Sequence, residues 1–227
     1  MTHGKPELIE TLRVDADGQI PLLELHLERV ARSCAALDYA WDTQIWLQAV
    51  HLALARAPSR TALRLRVLWQ AHGAAAAQAE PLPALPGPLR LRLSPTPLPV
   101  LDPLLAHKTT HRPWYQQAGR LLAEDPDLFD IIFVDGQNRV CEGSRSNIYI
   151  QDEHGAWWTP AASGWLLPGV QRQALLEQGL VREATLTKVD LISSPALRVS
   201  NALRGWLDAR LSSSEDFPHE RPASISH

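Results

Sequence analysis

The stretch FDIIFVDGQNRVCEGSRSNIYIQ, residues 129–151, contains two strand patterns on either side of a turn. Its first six residues are mostly β-branched or aromatic, and Asp135-Gly136 is a typical two-residue hairpin turn. The segment NIYIQ that ends it predicts a further strand, which residues 156–159 can pair with after the polar turn DEHG. This part of the chain is therefore expected to fold as a sheet, with Glu142 directly between two strands.

Hydrophobic periodicity predicts strands and helices on both sides of this stretch. The segment TALRLRVLWQ alternates apolar and polar residues, which indicates a half-buried strand, and apolar residues recur at helical spacing between Leu23 and Leu37. Residues 19–23 are expected to return as the second arm of a hairpin. The predicted strands outside the opening stretch comprise residues 8–14, 19–23, 61–70, 89–95 and 197–201, and the predicted helices residues 22–38, 43–57, 112–124 and 169–178.

The segment AAAAQAEPLPALPGP, residues 74–88, is rich in alanine and proline and poor in charge. Because proline fixes φ and lacks an N–H donor, the segment predicts a loop that links two lobes. Strands and helices mix without regular βαβ alternation, which indicates an α+β fold. We expect a smaller N-terminal α+β lobe over residues 1–84, a larger β-rich lobe over residues 85–211, and a loose, largely polar tail over residues 212–227.

Composition excludes several classes of protein. The 227 residues include 22 Lys and Arg against 25 Asp and Glu, a net charge of −3, whereas nucleic-acid-binding domains usually show a basic excess. No apolar run approaches the roughly 18 residues of a membrane span, and the first residues lack the apolar segment of a secretory signal. The two cysteines, Cys34 and Cys141, indicate a reducing compartment. We therefore expect a cytoplasmic protein without nucleic-acid or membrane partners.

Lysine is rare in this chain. Lys5, Lys108 and Lys188 are the only lysines, and 22 minus 3 leaves 19 arginines. Only lysine can form a Schiff base with a carbonyl compound. Lys108 follows an apolar run in LLAHKTTHRPWY, where desolvation would lower its pKa. The alternative is a lysine at the edge of a core with its ammonium group in solvent, and the segment taken alone favours that alternative.

Other segments suggest binding functions. Glu142 could be a turn residue, an ion-pair partner of Arg145, or an acceptor for a protonated ring nitrogen. The segment LLPGVQR places Pro and Gly before a predicted helix, whose free N–H groups could bind an anion, although many helices begin in this way. His107 and His111 lie four residues apart without a third ligand nearby, so no metal site is expected.

Taken together and in order, these segments resemble the class IV (fold-type IV) pyridoxal-phosphate (PLP) enzymes. That group includes branched-chain and D-amino-acid aminotransferases and 4-amino-4-deoxychorismate lyase. The resemblance extends over about residues 7–208 and implies their two-domain α+β fold. The segments that carry it are ETLRV (10–14), HLER (26–29), HKTTHR (107–112), EGSRSN (142–147), TP (159–160), LPGVQR (167–172) and SNALRG (200–205).

The resemblance implies a role for each matching residue. Lys108 would hold PLP covalently and move protons, and Glu142 would pair with the pyridinium nitrogen so that the ring can accept electrons. Arg29 would contact the phosphate, and Asn147 would brace the cofactor site. The backbone N–H groups that would complete the phosphate cradle belong to Val170, Gln171, Asn201 and Ala202.

Within the family, HKTTHRPWY and SNALRGW most resemble the lyase branch, including lyase domains fused to the larger subunit of aminodeoxychorismate synthase. That branch eliminates pyruvate from 4-amino-4-deoxychorismate to give 4-aminobenzoate, a folate precursor. For the substrate's carboxylates the sequence suggests Arg112 and Arg204. The resemblance further implies a homodimer with the site near the subunit interface, and an aminodeoxychorismate synthase as a candidate partner.

Two departures from the family pattern leave the substrate open. His111 stands where relatives have Asn after the lysine, and TALRLRVLWQAHG lacks the S-R-G-like ending that carries a substrate-recognising arginine in some lyases. One alternative is a branched-chain or D-amino-acid aminotransferase on the same scaffold. Another is a non-catalytic relative that binds PLP, and the intact Lys108 and Glu142 argue against it.

Overall fold

The structure is a computed structural model that describes residues 4–85, 89–98, 102–162 and 166–212. Two sheets form its framework, one of three strands and one of eight. This arrangement confirms the α+β class with a smaller N-terminal and a larger, β-rich C-terminal lobe. The boundary after residue 84 stays a prediction, and the expected tail lies, apart from Ser212, outside the described residues.

The N-terminal lobe consists of an antiparallel sheet in the order β1-β2-β3 with two helices packed against it. Alternation in β2 turns its apolar side chains toward the helices, and Trp46 and Trp69 are fully buried there. Its elements are β1 (Leu8–Val14), α1 (Leu23–Leu37), α2 (Thr43–Leu54), β2 (Leu63–Trp69) and β3 (Ala75–Pro81).

Two expectations for this lobe are wrong. Residues 19–23 do not form the second arm of a hairpin, because the turn closed by Asp15 N–H and the Gln19 carbonyl, at 2.8 Å, leads directly into α1. The antiparallel partner of β1 is β2 instead. Much of residues 74–88 is also not a loop, since β3 pairs with β2 along its whole length. The prolines begin only at Pro81, so the stretch before them keeps all its backbone donors.

The C-terminal lobe is built on a mixed sheet in the order β6-β5-β4-β11-β10-β7-β8-β9. The sheet curls so that β6 also contacts β7, which follows it in the chain. The predicted hairpin of β5 and β6 and the antiparallel pair of β7 and β8 are both confirmed. The strands are β4 (Leu89–Leu93), β5 (Leu128–Val134), β6 (Val140–Gly143), β7 (Asn147–Gln151), β8 (Trp157–Pro160), β9 (Arg182–Ala184), β10 (Leu197–Asn201) and β11 (Gly205–Leu211).

The helices of this lobe are shorter than the periodicity predicted. The expected helix over residues 112–124 begins as a 3-10 turn, Pro113–Tyr115, and continues as α3 (Gln116–Glu124). The second predicted helix is α4 (Val170–Glu177), while α5 (Lys188–Ser193), β9 and β11 were not expected. None of the helices in the described ranges combines the length and the apolar character needed to cross a bilayer.

Candidate active site

A cavity of about 240 Å³ lies where the two lobes meet. Its walls come from β1, α1 and β2 on one side and from the loops and strand ends of the larger sheet on the other. Eight of the ten predicted site residues line it: Arg29, Lys108, Arg112, Glu142, Asn147, Val170, Asn201 and Ala202. We refer to it as the inner cavity.

Backbone hydrogen bonds to the edge of β1 hold Lys108 at the inner cavity. The N–H of Ile9 donates to the carbonyl of Lys108 at 2.7 Å, and the N–H of Thr110 donates to the carbonyl of Glu7 at 2.8 Å. Leu8 and Thr109 form the antiparallel bridge between these two bonds. The lysine segment is therefore attached to the edge of the N-terminal sheet by an isolated bridge, although it follows β4 in the sequence.

The surroundings of Lys108 favour its neutral amine. Burial lowers the pKa of Lys108 to about 7, and the positive charges of Arg112 and Arg29 act in the same direction. Glu10 and Glu142 oppose this shift without reversing it. A lysine with this pKa is a nucleophile and a proton acceptor near neutral pH, which an ordinary lysine is not.

Glu142 lies at the end of β6, and two donors orient its carboxylate. The hydroxyl of Tyr115 and the N–H of Leu167 both donate to Oε1, at 2.5 and 3.1 Å. Burial raises the pKa of Glu142 to about 7, although these two bonds and the charge of Arg112 lower it. A buried carboxylate of this kind is stabilised in its charged form by a cation placed against it.

Asp130 holds the loop that follows Glu142. It is completely buried and accepts from the hydroxyls of Ser144 and Ser146, at 2.6 and 2.5 Å, and from the N–H of Arg145 at 3.1 Å. A Cβ at Gly143 would lie only 2.1 Å from Oδ2 of Asp130, so glycine is required there. The conformation of the EGSRSN segment is therefore determined by one carboxylate from the neighbouring strand.

A second buried carboxylate orients Arg29. Oε1 of Glu10 accepts from Nε of Arg29 at 2.9 Å, and Oε2 accepts from Nη2 at 2.5 Å and lies 2.5 Å from Nδ1 of His26. Burial raises the pKa of Glu10, but the charges and hydrogen bonds of Arg29 and His26 together outweigh this effect and hold the pKa well below its usual range. Since burial lowers the pKa of His26, the ion pair is formed by Glu10 and Arg29. Glu10 engages Nε and Nη2 of Arg29, and the residue lines the inner cavity.

The first turn of α4 lines the inner cavity through Val170. The first N–H groups of a helix have no partners within it, and the helix dipole adds a partial positive charge. Asn147 braces this turn, because its Nδ2 donates to the carbonyl of Leu167 at 3.0 Å. A Cβ at Gly169 would lie 2.1 Å from Oδ1 of Asn147. The structure therefore places a helix N-terminus, with close backbone packing, beside Arg29.

Two predicted site residues do not line the inner cavity. Gln171 and Arg204 instead line a separate cavity together with Arg13 and His26. Gln171 follows Val170 on the helix, so its side chain points away, although the prediction concerned only its backbone N–H. Nη1 of Arg204 donates to the carbonyl of Pro83 at 2.6 Å, and its contact with a substrate carboxylate stays a prediction.

Several residues at the site have roles that the sequence did not reveal. For Glu10 the sequence does hold a signal. Its neighbours on the same face of β1, Leu8 and Leu12, belong to the core, so alternation along the strand predicts a buried carboxylate. Tyr115 carries no local pattern that predicts its bond to Glu142. Arg64 and Arg145 also line the inner cavity, and they come from a strand and a loop that meet only in the folded chain.

Comparison with known proteins identifies the family. The sequence profile described as amino-transferase class IV matches residues 7–211. This chain belongs to the class IV aminotransferase family. A Schizosaccharomyces pombe protein that is provisionally named an aminodeoxychorismate lyase is 29% identical over 196 residues, which are 83% of this chain and 83% of that protein.

Solved structures confirm the fold of this family member. A Mesorhizobium loti protein, provisionally named an amino-acid aminotransferase, matches with a TM-score of 0.85 and 33% identity, covering 92% of this chain and 100% of that one. A Mycobacterium tuberculosis protein described as a hypothetical aminotransferase in its PLP-bound form matches with a TM-score of 0.74 and 24% identity, covering 91% and 81%. The second likeness shows the fold alone.

The pKa of Lys108 predicts how the cofactor-free protein captures PLP. The aldehyde of PLP reacts with a neutral amine, so the rate of capture should rise with pH and level off, with a midpoint near 7. The free amine of N-acetyl-lysine should show a midpoint of about 10.4. The variant Arg112→Gln removes a positive charge that lowers this pKa and should move the midpoint upward. Stopped-flow absorbance measures the rates, and a midpoint close to that of free lysine would contradict the assignment.

The Glu10–Arg29 pair gives a prediction that separates stability from phosphate binding. Glu10→Gln leaves a buried cation without its partner and should lower the free energy of unfolding of the cofactor-free protein by about 3–5 kcal/mol. Glu10→Gln combined with Arg29→Met removes both charges and should recover much of this stability. The double variant should still bind PLP at least about tenfold more weakly, because it lacks a charge-assisted contact to the phosphate.

Urea unfolding and absorbance titration with PLP measure the two quantities. Asp208→Asn is the matched control, since it breaks the exposed pair of Asp208 with Arg198, whose atoms lie 2.6 Å apart. Such pairs contribute at most about 1 kcal/mol. If the double variant binds PLP as tightly as the wild type, Arg29 does not contact the phosphate.

Proposed function

We propose that this chain is a PLP-dependent 4-amino-4-deoxychorismate lyase, which releases pyruvate and 4-aminobenzoate. The observation that carries the proposal is the charge distribution of the inner cavity. Lys108 and Glu142 face it, and its other charged lining residues in the described part of the chain are all arginines: Arg29, Arg64, Arg112 and Arg145. Such a cavity suits a cofactor that needs an amine and a carboxylate, and a substrate that carries carboxylates.

The donor set of the inner cavity fits PLP. Lys108 supplies an amine with a pKa near 7 for the aldehyde, and Glu142 supplies a buried carboxylate for the ring nitrogen. The phosphate has a cationic partner in Arg29 and the N–H groups at the start of α4. Gly169 also lines the inner cavity, and a Cβ at this position would clash with Asn147. The backbone at the start of α4 is therefore bare, and no side chain of residue 169 obstructs the phosphate. Membership of the class IV aminotransferase family supports the same cofactor.

In the proposed reaction, PLP supplies an electron sink for the negative charge that develops on the amine-bearing carbon of the substrate. Nζ of Lys108 accepts the proton from that carbon, which the lowered pKa of this residue permits. Glu142 stabilises a proton on the ring nitrogen, while Tyr115 and the N–H of Leu167 keep the carboxylate in position. The C–O bond that joins the enolpyruvyl group to the ring then breaks, the ring becomes aromatic, and the enolpyruvate that leaves takes up one proton to become pyruvate.

In the proposed reaction, Arg112 binds the substrate carboxylate nearest the reacting carbon. Its Nη2 donates to the carbonyl of Ser144 at 3.0 Å, and its guanidinium lies over the ring of Tyr115, 4.4 Å from the ring centre. The residue also lowers the pKa values of both Lys108 and Glu142, as a nearby positive charge must. Two contacts thus fix the guanidinium without neutralising it.

The second candidate function is an amino-acid aminotransferase. The Mesorhizobium loti protein, which is 33% identical, carries that name, whereas the Schizosaccharomyces pombe protein supports the lyase. Both reactions need the same lysine, carboxylate and phosphate cradle. A homodimer, an aminodeoxychorismate synthase partner and a cytoplasmic location are further parts of the proposal that rest on the family resemblance.

An assay without an amino acceptor distinguishes the two functions. A lyase regenerates its starting state in every cycle, so we expect sustained formation of 4-aminobenzoate and pyruvate from aminodeoxychorismate with no 2-oxo acid present. Chromatography of both products measures the reaction. If the absorbance spectrum instead changes once on addition of an amino acid, and turnover requires 2-oxoglutarate, the chain is an aminotransferase.

A substitution tests the role of Glu142. Glu142→Gln keeps the shape and can still accept from Tyr115 and Leu167, but it cannot stabilise a proton on the ring nitrogen. We expect PLP to remain bound while kcat falls by about tenfold to more than a hundredfold, the loss of one charge-assisted contact. The matched control is Glu177→Gln on the exposed face of α4, where Glu177 accepts from Gln173. Near-normal turnover of Glu142→Gln would mean that Glu142 only shapes the turn and does not act on the cofactor.

A further inference from the structure

A second and larger cavity, the outer cavity, adjoins the inner one. Its volume is about 560 Å³, and the two cavities share four lining residues, namely Arg64, Arg145, Asn201 and Leu203. A ligand that leaves the outer cavity toward Lys108 must therefore pass these residues. The shared wall is formed by β2, the β6–β7 loop and the turn between β10 and β11.

The outer cavity is strongly basic. Five arginines line it, whereas Asp127 is the only carboxylate among its described lining residues. Asp127 and Asp125 both lie within ion-pair distance of Arg90, and none of these three residues lines the inner cavity. The lining arginines are Arg64, Arg90, Arg145, Arg204 and Arg210. This excess of positive charge is unusual in a chain whose net charge is −3.

The positive charge near the shared wall is only partly neutralised. Arg64 pairs with Glu80 at 2.7 Å, a contact in which both side chains are nearly half exposed. Within the described ranges, no carboxylate lies at ion-pair distance from Arg145 or Arg204, and Arg204 donates to a carbonyl group. Burial lowers the pKa of Arg204, and the charges of Arg13 and Arg64 add to this effect. An anion bound at the shared wall would reduce the electrostatic repulsion among these arginines.

Arg145 combines a fixed backbone with an available guanidinium. Its N–H donates to Asp130 at 3.1 Å, and its carbonyl accepts from Nδ2 of Asn201 at 3.2 Å. The side chain is exposed and extends over the ring of Phe129, at 5.8 Å from the ring centre. The guanidinium can therefore turn toward either cavity while its base stays in place.

We propose that the outer cavity is the entry site for an anionic substrate, and that Arg145 and Arg64 bind the carboxylate on the far side of the substrate from its reacting amine. The inference rests on the proposed function, under which that group is the ring carboxylate opposite the amine of aminodeoxychorismate. Arg112 then binds the carboxylate that leaves as pyruvate. Arg64 and Arg145 thus select for a small dicarboxylate and have no part in the proton transfer.

The test compares Arg145→Gln and Arg64→Gln holoenzymes with two controls. We expect each variant to raise KM for aminodeoxychorismate about tenfold with kcat within about twofold of wild type, because the lost contact is an ion pair to the substrate alone. Glu80→Gln removes the Arg64–Glu80 pair but leaves Arg64, and Arg56→Gln removes an exposed arginine that lines neither cavity. Both controls should keep the wild-type KM.

A binding measurement distinguishes failure of this inference from failure of the proposed function. Chorismate has both carboxylates but a hydroxyl in place of the amine, so calorimetry with the holoenzyme reports its Kd without turnover. Arg145→Gln and Arg64→Gln should weaken chorismate binding about tenfold. If no 4-aminobenzoate forms, the proposed function fails, and this Kd still decides the inference. The inference would be overturned if KM and Kd were unchanged in both variants, or if Arg56→Gln lost as much affinity for chorismate as they do. It would also be overturned if the wild type did not bind chorismate.

Discussion

The site depends first on the two backbone hydrogen bonds that attach the lysine segment to the edge of β1. Through the bonds of Ile9 and Thr110, at 2.7 and 2.8 Å, a segment that follows β4 in the sequence becomes part of the N-terminal sheet. Glu10 is the next residue along that strand and orients Arg29 on α1. The same strand edge thus sets the distance between the reactive amine and the proposed phosphate contact.

Charge then determines what the assembled groups can do. The cationic residues around Lys108 come from both lobes, Arg29 from one and Arg112 from the other, and together with burial they hold its pKa near 7. Glu142 is buried at the same cavity. Burial disfavours its negative charge and therefore raises its pKa, to about 7 as well. A site with these two groups can move protons near neutral pH, and its remaining arginines make it selective for anions.

Local patterns predicted most of the fold, and the resemblance predicted most of the site. Alternation in β2, the helical spacing of α1 and the Asp135-Gly136 turn each depend on neighbours in sequence, so they could be read directly. β3 was missed because its alanines carry little strand signal, and pairing with β2 provides what its composition lacks. The sequence suggested Arg112 and Arg204 for the substrate's carboxylates but not Arg64 and Arg145, because tertiary packing decides which arginines line a cavity.

Lys108 is the residue proposed to hold the cofactor, and every other role at the site is assigned relative to it. Borohydride reduction of the holoenzyme, followed by peptide mapping with mass spectrometry, identifies that residue, since the chain has only three lysines. We expect the reduced PLP label on Lys108, which lines the inner cavity. A label on Lys5, whose Nζ donates to the carbonyls of Leu37 and Asp38, on the exposed Lys188, or on no lysine at all would contradict it.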